Sequence, residues 1–260
     1  MNDANHLHGS CLCGRVAFEV TGPFRDVIAC HCTACRKSSG HHWGASSVPL
    51  DQFRMIRDDM LRWYVSSDRA RRGFCGQCGA SVLWDPVGEG RMGFAPGSID
   101  GASGLKTAKH IFTEDAGDYY VPESSPSKSN ATPETLSCTC LCQETAFTLP
   151  GPAGPITACH CAQCRKLSGY YAASFDANEA DVEWVSRGLL AEYQTPGGGR
   201  RGFCGGCGSS LYFRSAKNEF SVEAGVVNGP TGGKLCDHIF VGDKGDYYAI
   251  DDGLPQQGGG

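Results

Sequence analysis

The chain has 260 residues, 40% of them hydrophobic and 20% charged, with a formal net charge of −5. Residues 1–122 carry 13 Lys and Arg against 13 Asp and Glu, and residues 123–260 carry 10 against 15; with no basic face in either half, no nucleic-acid partner is expected. The opening MNDANHLHGS has no apolar signal core and no later stretch can span a bilayer, so the expectation is a soluble, cytoplasmic protein with no membrane partner.

Sixteen cysteines dominate the sequence, beside 36 glycines and 13 prolines that predict many turns and short strands. In chain order, the first group is "CLC", Cys11 and Cys13. On a strand, residues i and i+2 share a face, so both sulfurs can reach one ion while Leu12 points away. "RVAFEV" (15–20) alternates Val16, Phe18 and Val20 and predicts a half-buried strand, and "LRWYV" and "ASVLWD" continue the pattern. Between them stands "CHCTACRK", with Cys30, Cys32 and Cys35, followed by "RKSSG", which predicts a short helical turn closed by Gly40. "FCGQCG" then offers Cys75 and Cys78 at knuckle spacing, with Gly79 free to take the positive φ that closes the turn.

Laid over itself at an offset of 129, the chain repeats every one of these cysteines without a gap. The second set is Cys140 and Cys142, then Cys159, Cys161 and Cys164, then Cys204 and Cys207. "KHIFTEDAGDYY" (109–120) recurs as "DHIFVGDKGDYY" (237–248). A period this long marks whole duplicated domains. We expect domains at 1–122 and 137–252, a Pro/Ser/Thr-rich linker at 123–136 and a disordered tail at 253–260.

Tight Cys-x-Cys and Cys-x-x-Cys pairs suit a metal better than a strained disulfide. The first and third groups join into a closed tetrathiolate: Cys11, Cys13, Cys75 and Cys78, and again Cys140, Cys142, Cys204 and Cys207. A structural zinc there contributes on the order of 10 kcal/mol to folding. The triplets Cys30, Cys32, Cys35 and Cys159, Cys161, Cys164 lack a fourth cysteine. They can hold an exchangeable zinc with an open position, a structural zinc closed by His31 or His110, or redox-active or metal-free thiols. Arg36 and Arg165, each followed by a lysine, can steer an anionic ligand beside the metal, or simply be solvated. Cys138 and Cys236 have no counterparts in the first copy.

"GSCLCGRVAFEV", "CHCTACRK", "RGFCGQCGASV" and "KHIF" together resemble the glutathione-dependent formaldehyde-activating enzyme family, which includes the centromere-protein-V-like proteins. The resemblance covers both copies and matches all seven cysteine positions in each. It implies a mainly β chain of two tandem zinc-binding β-tent domains with up to four zinc ions per chain. It further implies structural zinc on the tetrathiolates and a catalytic zinc on each triplet. The implied activity is carbon–sulfur lyase chemistry, the condensation of glutathione with formaldehyde, with small thiols and aldehydes as ligands. A second reading is a non-catalytic tandem zinc scaffold. The copies diverge beside the metal, "GHHWGAS" (40–46) facing "GYYAASF" (169–175), so the two pockets are expected to select different ligands.

Overall fold

The computed structural model describes residues 5–122 and 131–259. The first copy contains β1 (His6–Ser10), β2 (Ala17–Thr21), β3 (Val27–Cys30), α1 (Thr33–Ser39), β4 (Trp43–Pro49), β5 (Phe53–Arg57), β6 (Leu61–Ser67), β7 (Ala70–Cys75), β8 (Ser81–Pro86), β9 (Arg91–Phe94) and β10 (Thr107–Ile111). The second contains β11 (Thr135–Thr139), β12 (Thr145–Pro150), β13 (Ile156–Cys159), α2 (Ala162–Ser168), β14 (Ala172–Ala177), β15 (Glu183–Arg187), β16 (Leu190–Gln194), β17 (Arg200–Cys204), β18 (Ser210–Arg214), β19 (Phe220–Glu223) and β20 (Leu235–Ile239). Each copy folds into a three-stranded sheet, β1-β2-β5 or β11-β12-β15, and a seven-stranded one. The larger sheet runs β10-β3-β4-β9-β8-β7-β6 in the first copy, with the matching order in the second. Among the described strands, β3–β10 and β13–β20 are the pairs that run parallel.

Alternation sets which faces meet. Phe18 and Val20 of β2 are buried while Ala17 and Glu19 turn outward, and Phe18 packs with Val48, Val82 and Phe94 of the large sheet. Phe147, Phe175, Leu211 and Val222 repeat this core in the second copy. The expected helical turn is α1, closed by Gly40 in the left-handed conformation at φ 85°, and α2 ends likewise at Gly169, φ 82°.

The copies do not fold as separate beads. Past β10 the first copy's chain crosses to the second, where Tyr119 joins the core of Leu136, Phe147 and Ile156. Past β20 the chain crosses back, and Tyr247 joins the core of Val27 and Leu105. Asp118 accepts hydrogen bonds from the Thr231 and Gly232 amides at 2.9 and 3.0 Å. Asp246 accepts from the Ser103 and Gly104 amides at 2.8 and 2.7 Å. This reciprocal exchange resembles a swapped dimer written into one chain.

Two expected boundaries shift. β11 begins at Thr135, inside the expected linker, of which residues 123–130 lie outside the described residues. The tail expected to be disordered runs beside β20 instead: the His238 amide donates to Pro255 O at 2.9 Å, and the Gln257 amide to His238 O at 2.8 Å. An otherwise unpaired edge strand satisfies its backbone groups this way.

Candidate metal centres

The structure gathers each predicted tetrathiolate, with all four sulfurs within 4.8 Å of one another. Cys13 Sγ lies 3.6 Å from both Cys11 Sγ and Cys75 Sγ; in the second copy Cys142 Sγ lies 3.5 Å from Cys140 Sγ and 3.6 Å from Cys204 Sγ. A tetrahedral zinc with bonds of about 2.3 Å needs sulfur–sulfur edges of about 3.8 Å, so these residues fit the ion. The local geometry differs from the expected strand pair. β1 ends at Ser10, and Cys11 to Gly14 form a turn in which the Gly14 amide donates to Cys11 O at 3.1 Å. Both halves of the site are therefore knuckles, one at the end of the small sheet and one between β7 and β8. A metal there staples the two sheets together.

In the second copy Gln143 replaces Gly14 and holds φ 66°, where Gly14 has 73°. The knuckle keeps its shape against a steric cost on the non-glycine residue.

Each triplet also assembles, its three sulfurs within 4.8 Å. Cys30 and Cys32 do not share a strand face as expected: Cys30 ends β3, Cys32 is the N-cap of α1, and Cys35 lies in that helix. Among the described residues no histidine nitrogen or carboxylate joins either triplet. His31 faces elsewhere: Nδ1 meets the Tyr120 hydroxyl at 2.6 Å, and Nε2 meets His110 Nδ1 at 2.8 Å. The thiols of a triplet share protons. Hydrogen bonds from Cys30 and then Cys35 pull Cys32 down to about 2, and those from Cys159 and then Cys164 do the same for Cys161. One sulfur in each set thus carries the negative charge that a cation would neutralise.

Sequence reasoning missed two arginines. Arg72 of β7 is buried and its Nη2 donates to Cys35 Sγ at 3.4 Å; Arg201 of β17 does the same to Cys164 at 3.6 Å. Both occupy the same place in "RRGFC", a recurrence that was visible in the repeat. Their surroundings differ. Beside Cys35 the first copy has Trp43 and Ala95. The second has Ala172 and Glu223 at those positions, and burial pushes the Glu223 carboxyl up to about 7 even with Arg201 drawing it back.

The arginines that were expected to steer ligands do something else. Arg36 Nη1 donates to the carbonyls of Gly225 and Val227, each at 2.9 Å, in the opposite copy. Arg165 Nη1 donates to Gly97 and Ile99 at 3.0 and 3.2 Å. Lys37 reaches Thr139 O and Asn228 Oδ1 at 2.9 and 2.6 Å, and Lys166 reaches Ser10 O and Asp100 Oδ1 at 3.0 and 2.5 Å. The Arg-Lys pairs are locks between copies, and their repetition follows from the pseudo-twofold relation. Cys138 is buried in the second core and Cys236 is exposed, and none of the sixteen cysteines is in a disulfide.

The model of the glutathione-dependent formaldehyde-activating enzyme matches residues 6–115 and again 135–243. The chain belongs to that family. No curated protein is significantly similar to it in sequence. A solved structure of a Rhodobacter sphaeroides protein is 23% identical, covering 40% of this chain and 99% of its own, with a TM-score of 0.34. Both family matches fall on a complete set of seven cysteines, so this member carries the family's motif twice. Among the described residues no helix is long and apolar enough to cross a membrane.

Proposed function

We propose that this family member is a zinc-dependent enzyme of the carbon–sulfur lyase type that joins a thiol to an aldehyde, and releases one in the reverse direction. Glutathione with formaldehyde is the first pair to test. The observation that supports this is the triplet itself: three cysteine sulfurs, no fourth protein donor among the described residues, and a buried guanidinium on the third sulfur. Cys30, Cys32 and Cys35, or Cys159, Cys161 and Cys164, would hold a zinc ion, which would supply positive charge favouring a bound sulfur as thiolate. Arg72 and Arg201 offset the charge of the cysteines, and their burial keeps that interaction strong. In the reaction a sulfur–carbon bond forms, the carbonyl π bond opens, and the proton leaving the thiol ends on the former carbonyl oxygen.

The copies are not equivalent in this reading. The first triplet has Arg72 with no carboxyl at the Ala95 position, so it accepts an anionic sulfur more readily than the second, where Glu223 opposes Arg201. The test is turnover of glutathione and formaldehyde by Cys32→Ser, Cys161→Ser and the double variant, with zinc content and circular dichroism measured alongside. Loss of turnover in the double variant with the fold retained supports the assignment, and the single Cys32→Ser variant is expected to lose more than Cys161→Ser. Undiminished turnover in the double variant, or four inert zinc ions that no chelator removes from the folded chain, leaves the scaffold reading in its place.

A further inference from the structure

Between the copies lies a cavity of about 1040 Å³ that no cysteine lines, large enough for a small organic molecule. Both crossing segments build it: Tyr120 arrives with the first, Tyr248 with the second, and Tyr170 and Tyr171 complete a wall of phenol rings. The rings pack on one another, Tyr170 stacked on Tyr248 with centroids 4.9 Å apart and Tyr171 tilted against Tyr248 at 5.3 Å. Facing them is His42, whose ring meets Tyr171 edge-on at 5.1 Å. The walls are unlike because His41 and His42 stand where the second copy has Tyr170 and Tyr171. A ligand therefore meets imidazoles and phenols that the two copies do not supply alike.

Three observations fix the chemistry. First, His42 is 2% exposed and neither ring nitrogen has a partner, although a buried polar group without one costs about 1–3 kcal/mol. Burial holds this imidazole far below its usual range, so it is neutral and does not compete as a cation. Second, most polar groups of the wall are already engaged. Tyr120 and Tyr248 hydroxyls bond His31 and His160 at 2.6 Å, and His238 Nε2 bonds Asp252 at 2.9 Å. What remains for a ligand is chiefly ring face. Third, the charged residues lining the cavity are Asp118, Asp251 and Asp252 against Lys234, an acidic surplus that repels anions and attracts cations. Among the described residues, no three ligand atoms in the cavity converge as a metal would require.

We propose that this cavity binds an organic cation, an amine or quaternary ammonium compound, with its charged nitrogen against the phenol wall at Tyr171, because Lys244 Nζ already lies 5.2 Å over the Tyr248 ring. Neutral aromatic walls under an acidic rim favour such a group through cation–π attraction. The site exists only because the two copies are joined and exchanged, and its asymmetry selects one orientation of the ligand.

The test is calorimetric titration of the full zinc-loaded chain with choline, with its neutral isostere 3,3-dimethyl-1-butanol and with the anion isethionate. The expected result is one choline per chain, bound roughly tenfold more tightly than the isostere, with no isethionate binding. Tyr171→Leu should weaken choline roughly tenfold. Asp251→Asn, an exposed change that leaves the fold alone, should weaken it several-fold and reduce the salt dependence. Equal affinity for choline and the isostere, two equivalent sites per chain, no heat with 10 mM-order choline, or choline binding unchanged in both variants would each overturn the proposal.

Discussion

Glu223 shows how one residue separates two copies of the same site. The first copy has Ala95 there, so nothing in the duplicated motif demands a carboxyl, and the group is 4% exposed with one oxygen unpartnered. Burial raises its pKa from 4.5 to about 7. The folded chain thus holds this proton more tightly than the unfolded one. The associated stability is fully present below pH 4.5 and is lost as pH rises through 7. Relative to Glu223→Gln, which cannot titrate, the parent is expected to lose on the order of 3 kcal/mol between pH 4 and pH 8. Urea unfolding of both proteins across that range measures it; parallel pH profiles would contradict the burial argument. Arg72 and Arg201 belong to the same scale. Their sequence signal was the repeated "RRGFC", but only folding shows which arginine of the pair turns inward to a sulfur.

Among the elements, α1 and α2 do two jobs, presenting a triplet at the N-terminal end and locking the copies at the other. The lock needs backbone-to-backbone approach. The Gly225 amide donates to Gly40 O at 2.7 Å, and the Gly97 amide to Gly169 O at 2.9 Å. A Cβ on Gly225 would stand 2.4 Å from Gly40 C and 2.5 Å from Arg36 O, backbone atoms that cannot rotate away. Gly225→Ala is therefore expected to cost about 3 kcal/mol, read as a lowered denaturant midpoint. Gly154→Ala, where nothing lies within 4 Å, should leave that midpoint unchanged. The cysteine knuckles act at this scale too, since each tetrathiolate ties the end of a small-sheet strand to a large-sheet turn. Chelation strong enough to empty those sites is expected to unfold the copies. Milder chelation that empties only the triplets should leave the far-ultraviolet spectrum intact, and simultaneous loss of both would contradict the division into structural and reactive centres.

For the whole molecule the exchange of the "GDYY" segments matters most. Tyr119 completes the second core and Tyr247 the first, so neither copy has a complete interior by itself. A protease site placed within residues 124–129 and then cut is expected to leave the halves co-eluting as one species under native conditions. Their separation on dilution would show that the interface is weaker than its buried tyrosines and carbonyl-bound arginines indicate. The cavity belongs to this scale as well, because residues of both copies line it.

The seven-cysteine spacing, repeated at a constant offset, determined by itself that the chain is a duplication, and which sulfurs would meet. Thiolates at short spacing have few partners within reach, and a local pattern is sufficient to record that. Hydrophobic alternation likewise located β2, β6 and β8. Contacts between the copies left no such local mark. Arg36 and Lys37 read equally well as ligand-binding or solvated, and the carbonyls they bond lie 102 to 191 positions away in the chain. Tyrosines that close a partner's core look the same in sequence as tyrosines that close their own. Only the tertiary structure could decide these roles, because they depend on which backbone atoms long-range packing brings within hydrogen-bond distance.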